Sequence, residues 1–375
     1  MPRSRNKPGL NKAWTWAILA TVLTLTWQAL TVQANYAGHL TGLFRTGAST
    51  RVPPALAATT YRDPSRDGYD GQFYRFIAHD PALGPATWAA LDGPVVRSRR
   101  ILIPALAWLA AAGRQQWIDP AYVLILAAFL FSGVYWMARV FEQNARSPAH
   151  GLLFLMVPAT IVSIDRMTVD VASAALTAAF VYYQSTSRTR ALWLTLGAAS
   201  LVRETGLLLV AAAVLPALLR RDFRQAARWT SPAIPALAWF AYLAFTSPAS
   251  PSQVSADWGI PGVLFNPPHY NLPSPQESIA RALDILALLA TLLAGMLAVA
   301  QALVPAASRL VSTLLLLPNR DFWTSPYAYG RFLGPLFVLL LLGPNLAPAI
   351  FLTALVDLRL FTEIRSQILG VLHWL

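Results

Sequence analysis

The chain has 375 residues, 56% of them hydrophobic and 12% charged, with 29 basic residues against 17 acidic ones and a net charge of +12. A soluble globular chain carries about twice that share of charge, so this composition, with its positive mean hydropathy, fits a polytopic membrane protein. The absence of cysteine excludes disulfides, thiolate-bound metal and thiol catalysis, and no basic run interleaved with exposed aromatics supports binding to nucleic acid.

The first element is an apolar run from Trp14 to Val32, preceded by Arg3, Arg5 and Lys7. About 20 apolar residues cross a bilayer. The run is longer than the roughly 7–15-residue core of a signal peptide, so an uncleaved span is expected, with cleavage after Val32-Gln33-Ala34 as the alternative. A loop of residues 33–117 follows. Further apolar runs extend over Ala121 to Met137, Gly151 to Ile164, Val171 to Tyr183, Ala191 to Val202, Gly206 to Leu219, Ile234 to Phe245, Ile279 to Val304, Leu310 to Leu317 and Phe332 to Val356. The expected fold is therefore all-α, a single domain over 1–375 with about ten transmembrane helices. Several are too short to cross without tilt or a re-entrant partner.

The arginines of the short loops sort to one side: the N-terminus, then Arg139 with Arg146, Arg188 with Arg190, the group Arg220, Arg221, Arg224 and Arg228, then Arg309, and Arg359 with Arg365. By the positive-inside rule this side is cytoplasmic, and it attracts anionic membrane lipids. Of the 17 acids, Glu142, Asp222, Asp357 and Glu363 fall there and the other thirteen fall on the opposite side or at its edge. The scheme requires the segment from Arg100 to Ala112, led by Arg97, Arg99 and Arg100, to lie along the outer surface with Leu102, Leu106 and Leu109 as its apolar edge. The loop of residues 247–278, rich in Pro, Ser and Asn, reads as an outer lid.

Four charged constellations stand out on the extracytoplasmic side. The string Asp67-Gly68-Tyr69-Asp70-Gly71-Gln72-Phe73-Tyr74 places two carboxylates, an amide and three aromatic rings within eight residues. Asp70, beside a glycine that lets the backbone turn, suits a general base or a cation ligand. Asp67 and Asp70 also suit the N-cap of a helix starting near Gln72. Asp165, Arg166 and Asp170 lie between two short apolar runs, where a broken turn would bring both acids to one pocket, and a surface ion pair plus a cap is the other account. Arg203-Glu204 interrupts an apolar stretch. There the arginine fork suits phosphate with Glu204 holding it in place, unless the two form an internal ion pair. Tyr329 and Arg331 open the last run, as substrate ligands or as an interfacial belt. His79 beside Asp80 reads as a loop residue.

The order of these features resembles the GT-C superfamily of membrane glycosyltransferases. Asp70 falls at the acid of a long first outer loop, Arg100 to Ala112 at a surface helix, and Asp165 or Asp170 at the acid of a second loop. Leu196-Gly197 through Arg203-Glu204-Thr205-Gly206 looks like the superfamily's short hairpin. Tyr329-Gly330-Arg331-Phe332-Leu333-Gly334-Pro335 resembles the start of its late span. The Tyr-Asp-Gly-Gln string with Arg-Glu-Thr-Gly also looks like a bacterial group of small GT-C-like proteins of cell-surface glycopolymer formation. The resemblance implies inverting transfer of a sugar from a polyprenyl-phosphate donor to a glycan or lipid-linked acceptor at the outer face of the inner membrane. It implies Asp70 as base, Arg203 and Arg331 as phosphate ligands, and Asp67, Gln72, Tyr74, Asp165, Arg166, Asp170, Glu204 and Tyr329 around the substrates. No cofactor is required, and the carboxylates leave a divalent cation open. A transporter or flippase for a lipid-linked sugar, or a non-catalytic assembly subunit, is the alternative.

Overall fold

The computed structural model describes residues 12–63, 68–246, 275–300 and 326–375. Its first helix, α1 (Lys12–Tyr36), shows why the chain suits a bilayer. Ala13, Ala17, Ala20, Thr24, Gln28 and Thr31 recur at helical spacing on the buried face, while Ile18, Leu19, Val22 and Leu23 point outward. Small residues inside and large apolar ones outside is the pattern of a helix that packs through close backbone approach and faces lipid. Its 25 residues rise about 1.5 Å each, enough for a hydrocarbon core of about 30 Å.

The loop after α1 carries two-residue strands β1 (Thr46–Gly47) and β2 (Arg62–Asp63), paired in parallel, then α2 (Gly71–His79), α3 (Pro85–Trp88), α4 (Pro94–Ser98) and α5 (Leu102–Ala110). It spans 37–114, a little less than expected at both ends, because α1 continues to Tyr36 and the next helix begins at Gln115. The nine residues of α5 rise only about 14 Å, too little to cross. Ile103, Pro104 and Ala107 pack inward against α2 and the following helix, and Leu109 is 62% exposed. The expected Leu102–Leu106–Leu109 edge does not form one outer face: Leu102 packs against the core, Leu106 is half-buried, and Trp108 and Leu109 are exposed.

Next come α6 (Gln115–Gln143), a 3₁₀ helix over Pro148–Met156, α7 (Pro158–Arg166), α8 (Asp170–Ser185) and α9 (Thr189–Val202). The run read as Gly151 to Ile164 is not one helix. Pro158 breaks it, and the two pieces meet at a 62° bend. Then follow α10 (Leu207–Leu219), α11 (Phe223–Thr230), α12 (Ile234–Thr246), α13 (Pro275–Ala300), α14 (Pro326–Phe332), α15 (Gly334–Leu341) and α16 (Leu346–Trp374). The expected span from Phe332 to Val356 is also corrected: it is divided between α15 and α16 at Gly343-Pro344, whose carbonyls accept from Arg146 (3.1 and 2.9 Å) at the end of α6. Residues 247–274 of the expected lid, the run Leu310 to Leu317, and Asp67 lie outside the described residues, and 275–278 belong to α13 rather than to a loop.

Among the described residues, three helices are long and apolar enough to cross a membrane: α1, α6, and α13 from Ser278, or four if the bent pair counts as one span. α13 repeats the inside-out pattern, with Ala287, Ala290, Thr291, Ala294 and Ala298 buried and Leu289, Leu293 and Met296 exposed. Helix is nearly the whole of the described structure, so the all-α expectation holds and the apolar helices point to a membrane protein.

Candidate functional site

Gly71 opens α2 where its backbone touches two other segments. A Cβ there would lie 2.0 Å from the Arg166 carbonyl oxygen and 3.2 Å from that of Phe44. Only glycine lets α2 approach so closely, and this approach fixes Asp70, the preceding residue, against the turn between α7 and α8. That turn is itself strained: Met167 is fully buried at φ 52°, a left-handed conformation that costs a non-glycine residue about 1–2 kcal/mol. Tyr122 of α6 supports it by donating to the Met167 carbonyl at 3.1 Å.

Asp70 occupies the N-cap position of α2, yet its side chain makes no cap bond. Its Oδ2 instead accepts from Nη1 of Arg97 and from Nη1 of Arg331, each at 2.5 Å. Burial alone would push this carboxyl up, but Arg331 and Arg97 outweigh it and hold the group well below the usual carboxylate range. Tyr69 is shifted upward by burial and stays a phenol; Arg166 and Arg331 each sit 5.0 Å from its ring centre.

From Asp70 the charges alternate through the site. Arg331, on α14, lies 3.9 Å from Oδ2 of Asp170, the first residue of α8, and Asp170 Oδ1 binds Nη1 of Arg203 at the end of α9. Arg100 presents a two-bond fork to Glu204 (2.8 and 3.3 Å) and a third donor to the Tyr74 hydroxyl (2.7 Å). Arg97 forks onto Asp92 at 3.0 and 3.2 Å. Four arginines (97, 100, 203 and 331) thus face four carboxylates (70, 92, 170 and 204), and the group is neutral when empty. Asp170 and Arg203 are the exceptions to this satisfaction. Asp170 Oδ2 has only the 3.9 Å ion pair with Arg331, and Arg203, 1% exposed, has no hydrogen-bond partner for its Nε and Nη2 among the described residues. That pair of atoms is the edge with which guanidinium grips an oxyanion through two parallel bonds.

A cavity of about 430 Å³ opens on the other side of Asp70, lined by Tyr69, Asp70, Gln72, Phe73, Arg51 and Asp92 with Thr50, Gly68, Ala89, Ala90 and Leu91. Its size falls within the ~300–1,000 Å³ of small-molecule sites. No protein-family model, curated protein or solved structure matches this chain.

The structure therefore gathers Asp70, Tyr74, Asp170, Arg203, Glu204 and Arg331 into one site and corrects several roles. Asp165 does not join Asp170 there: it pairs with Arg166, whose guanidinium lies between the rings of Tyr69 and Tyr327. Glu204 holds Arg100, not Arg203, because the 3₁₀ turn Glu204–Gly206 aims its side chain back toward α5. Gln72 lines the cavity but accepts from the Gly47 backbone N–H (3.2 Å), which fixes the loop behind it. Tyr329 is buried at 1% exposure, one turn from Phe332 on α14, and contributes packing. His79 is not in a loop; it ends α2, buried, between Gln115 Oε1 (2.6 Å) and Asp119 (3.0 Å), and Arg75 forks onto the same carboxylate. Arg97 and Arg100 are site residues that the sequence reading assigned only to leading a surface helix. No three His, Asp or Glu side chains converge as metal ligands among the described residues.

Proposed function

We propose that the protein is a GT-C-type glycosyltransferase of a bacterial inner membrane, moving a sugar from a polyprenyl-phosphate donor to a glycan or lipid-linked acceptor at the outer face. The observation that carries this reading is the position of Asp70, in the wall of the 430 Å³ cavity and at one end of the chain of charges leading to the vacant edge of Arg203. An acceptor sugar would sit in the cavity against Tyr69 and Phe73. The donor phosphate would lie on Arg203 and Arg331, with its lipid between the helices. The short helices α8, α9, α10, α12 and α15, together with α16, would complete a bundle of about ten crossings.

The chemistry balances in charge. The acceptor O–H gives its proton to the Asp70 carboxylate, and its oxygen forms a bond to the anomeric carbon. The anomeric C–O bond to phosphate breaks with its electron pair, inverting the carbon. The donor diester carries one negative charge and the released phosphate two, while Asp70 changes from anion to neutral acid, so the site keeps its total charge. Donors fixed in a nearly dry site stabilise such a leaving group far better than water does. The arginines supply the positive charge, and the reading needs no cofactor.

One observation favours a transporter or flippase instead. Asp357, in α16, is 4% exposed and its Oδ1 has no partner among the described residues, and a buried acid in a membrane helix commonly marks an ion or proton path. The two readings part in one experiment. The full chain in lipid nanodiscs, given a panel of polyprenyl-phosphate sugars and oligosaccharide acceptors, should release polyprenyl phosphate, and Asp70→Asn should slow release by roughly 10²–10⁴-fold while Asp357→Asn should not. Release that depends on Asp357 and ignores Asp70 would refute the transferase reading.

A further inference from the structure

We infer that Arg97 is a positioning residue that keeps Asp70 from acting as a base until both substrates are bound, with Asp92 as the seat to which Arg97 withdraws. This rests on the transferase reading for its purpose, but its geometry stands independently. Asp70 offers one oxygen to two arginines whose second partners differ: Arg331 neighbours Asp170, which Arg203 shares, and Arg97 holds Asp92, which lines the cavity. The two clamps are released by different events. A phosphate that binds the unpartnered Nε and Nη2 of Arg203 would draw Arg331 off Asp70, since both guanidinium groups neighbour Asp170. Arg331 stays anchored as Asp70 is released, because its Nε donates to the Tyr327 carbonyl at 3.1 Å and lies 3.9 Å from Asp170.

Arg97 is built to let go. It makes one bond to Asp70 and two to Asp92, and its guanidinium carbon lies 5.2 Å from the centre of the Phe73 ring, on the cavity wall. An acceptor hydroxyl arriving from the cavity replaces the single Arg97–Asp70 bond while the fork on Asp92 stays closed. A carboxylate under two guanidinium groups is a weak base; under none, it regains ordinary strength. The donor therefore meets an inactive base when no acceptor is present, and water entering in place of the acceptor is not activated. The charged groups facing Asp70 are Arg97 and Arg331 in contact, Asp92 and Asp170 behind them, and Arg166 across the Tyr69 ring.

The test is a carboxyl titration of the full chain in nanodiscs, using ¹³C-aspartate NMR with the Asp70 signal assigned by its loss in Asp70→Asn. In the native protein the Asp70 midpoint should lie below the ordinary carboxylate range, and Arg97→Gln should raise it by roughly 1–3 pH units. Adding undecaprenyl phosphate should raise the native midpoint too, by removing Arg331. Arg97→Lys keeps the charge but not the fork and should raise the midpoint less than Arg97→Gln, which keeps the test open if the glutamine variant fails to fold. A midpoint that ignores Arg97, or one that undecaprenyl phosphate leaves in place, overturns the inference. With sugar donor present and acceptor withheld, Arg97→Gln should release polyprenyl phosphate faster than the native protein. The titration needs no sugar transfer. A shifted midpoint in a protein that transfers no sugar sinks the transferase reading and keeps the clamp, whereas active transfer with an unmoved midpoint sinks the clamp alone.

Discussion

Replacing Gly71 by alanine probes the contact that places Asp70. The added Cβ would lie 2.0 Å from the Arg166 carbonyl oxygen, where real Cβ contacts essentially never fall below 3.0 Å, so α2 and the end of α7 must part by at least 3.0 − 2.0 = 1.0 Å. The neighbouring atoms are backbone and cannot rotate away. Forcing apart a packed contact costs about 1–3 kcal/mol, and rigid neighbours favour the upper end. Alanine returns up to ~1 kcal/mol of helix propensity over glycine, which leaves a net loss of about 1–2 kcal/mol. Function should suffer more, since a ~1 Å misplacement of a reacting group can cost ~10²-fold. Gly93→Ala is the control, because nothing lies within 4 Å of its added carbon. Denaturant midpoints and initial transfer rates in nanodiscs give both readouts. If Gly71→Ala matches Gly93→Ala in stability and rate, the close approach is not what positions Asp70.

Asp70→Asn should lower transfer by roughly 10²–10⁴-fold. Because the folded carboxyl titrates below its unfolded value, it stabilises the protein fully above about pH 4, and that contribution fades as pH falls through the folded value. The stability gap between native and Asp70→Asn protein, followed by acid unfolding, should therefore close below about pH 4; a constant gap would contradict the two-arginine clamp. Arg203→Lys keeps charge but loses the vacant fork, so donor KM should rise while unfolding changes little. Glu204→Gln keeps one acceptor for Arg100 but removes the charge opposite it, and because the Glu204 side chain is 31% exposed it should destabilise by less than the ~3–5 kcal/mol of a fully broken buried pair. Single cysteines at Arg51 and Arg221, introduced into a chain with none, should label from opposite sides of the membrane; labelling from the same side would overturn the orientation.

Charge was the readable part of this site, though not of every loop. Arg359 and Arg365, expected with the cytoplasmic arginines, belong to the half of α16 that meets the site end of α1, where the Gln367 carbonyl accepts from Asn35 at 3.2 Å. In a chain with so few acids, Asp70, Asp170, Arg203 and Arg331 each declared themselves, because a charge among apolar runs is expensive to bury without purpose. Partner choice was not readable. Arg100 meets Glu204 across 104 positions, and Arg331 meets Asp70 across 261, distances over which local spacing carries no information. A usable signal for Arg97 and Arg100 did exist: three arginines in four positions sit on the side the positive-inside rule expects to be poor in them. His79 misled because its sequence neighbour Asp80 turns away to hold Gly84 and Thr87, while Asp119 arrives from α6. Hydropathy alone also passed over the break at Gly343-Pro344, since two residues hardly lower the average of a long apolar run.

The span of 261 residues between Asp70 and Arg331 also sets a timetable for biogenesis. At a synthesis rate of about 5–20 residues per second, Asp70 leaves the ribosome roughly 13–52 s before its second arginine exists. Arg97 and Asp92 are made within seconds of Asp70, so the half of the clamp nearest the cavity can close at once. The other half waits for α14 to enter the bundle. Insertion of that late helix is then the event that completes the charge pairing, and a nascent chain stalled before it would hold an Asp70 answerable to Arg97 alone.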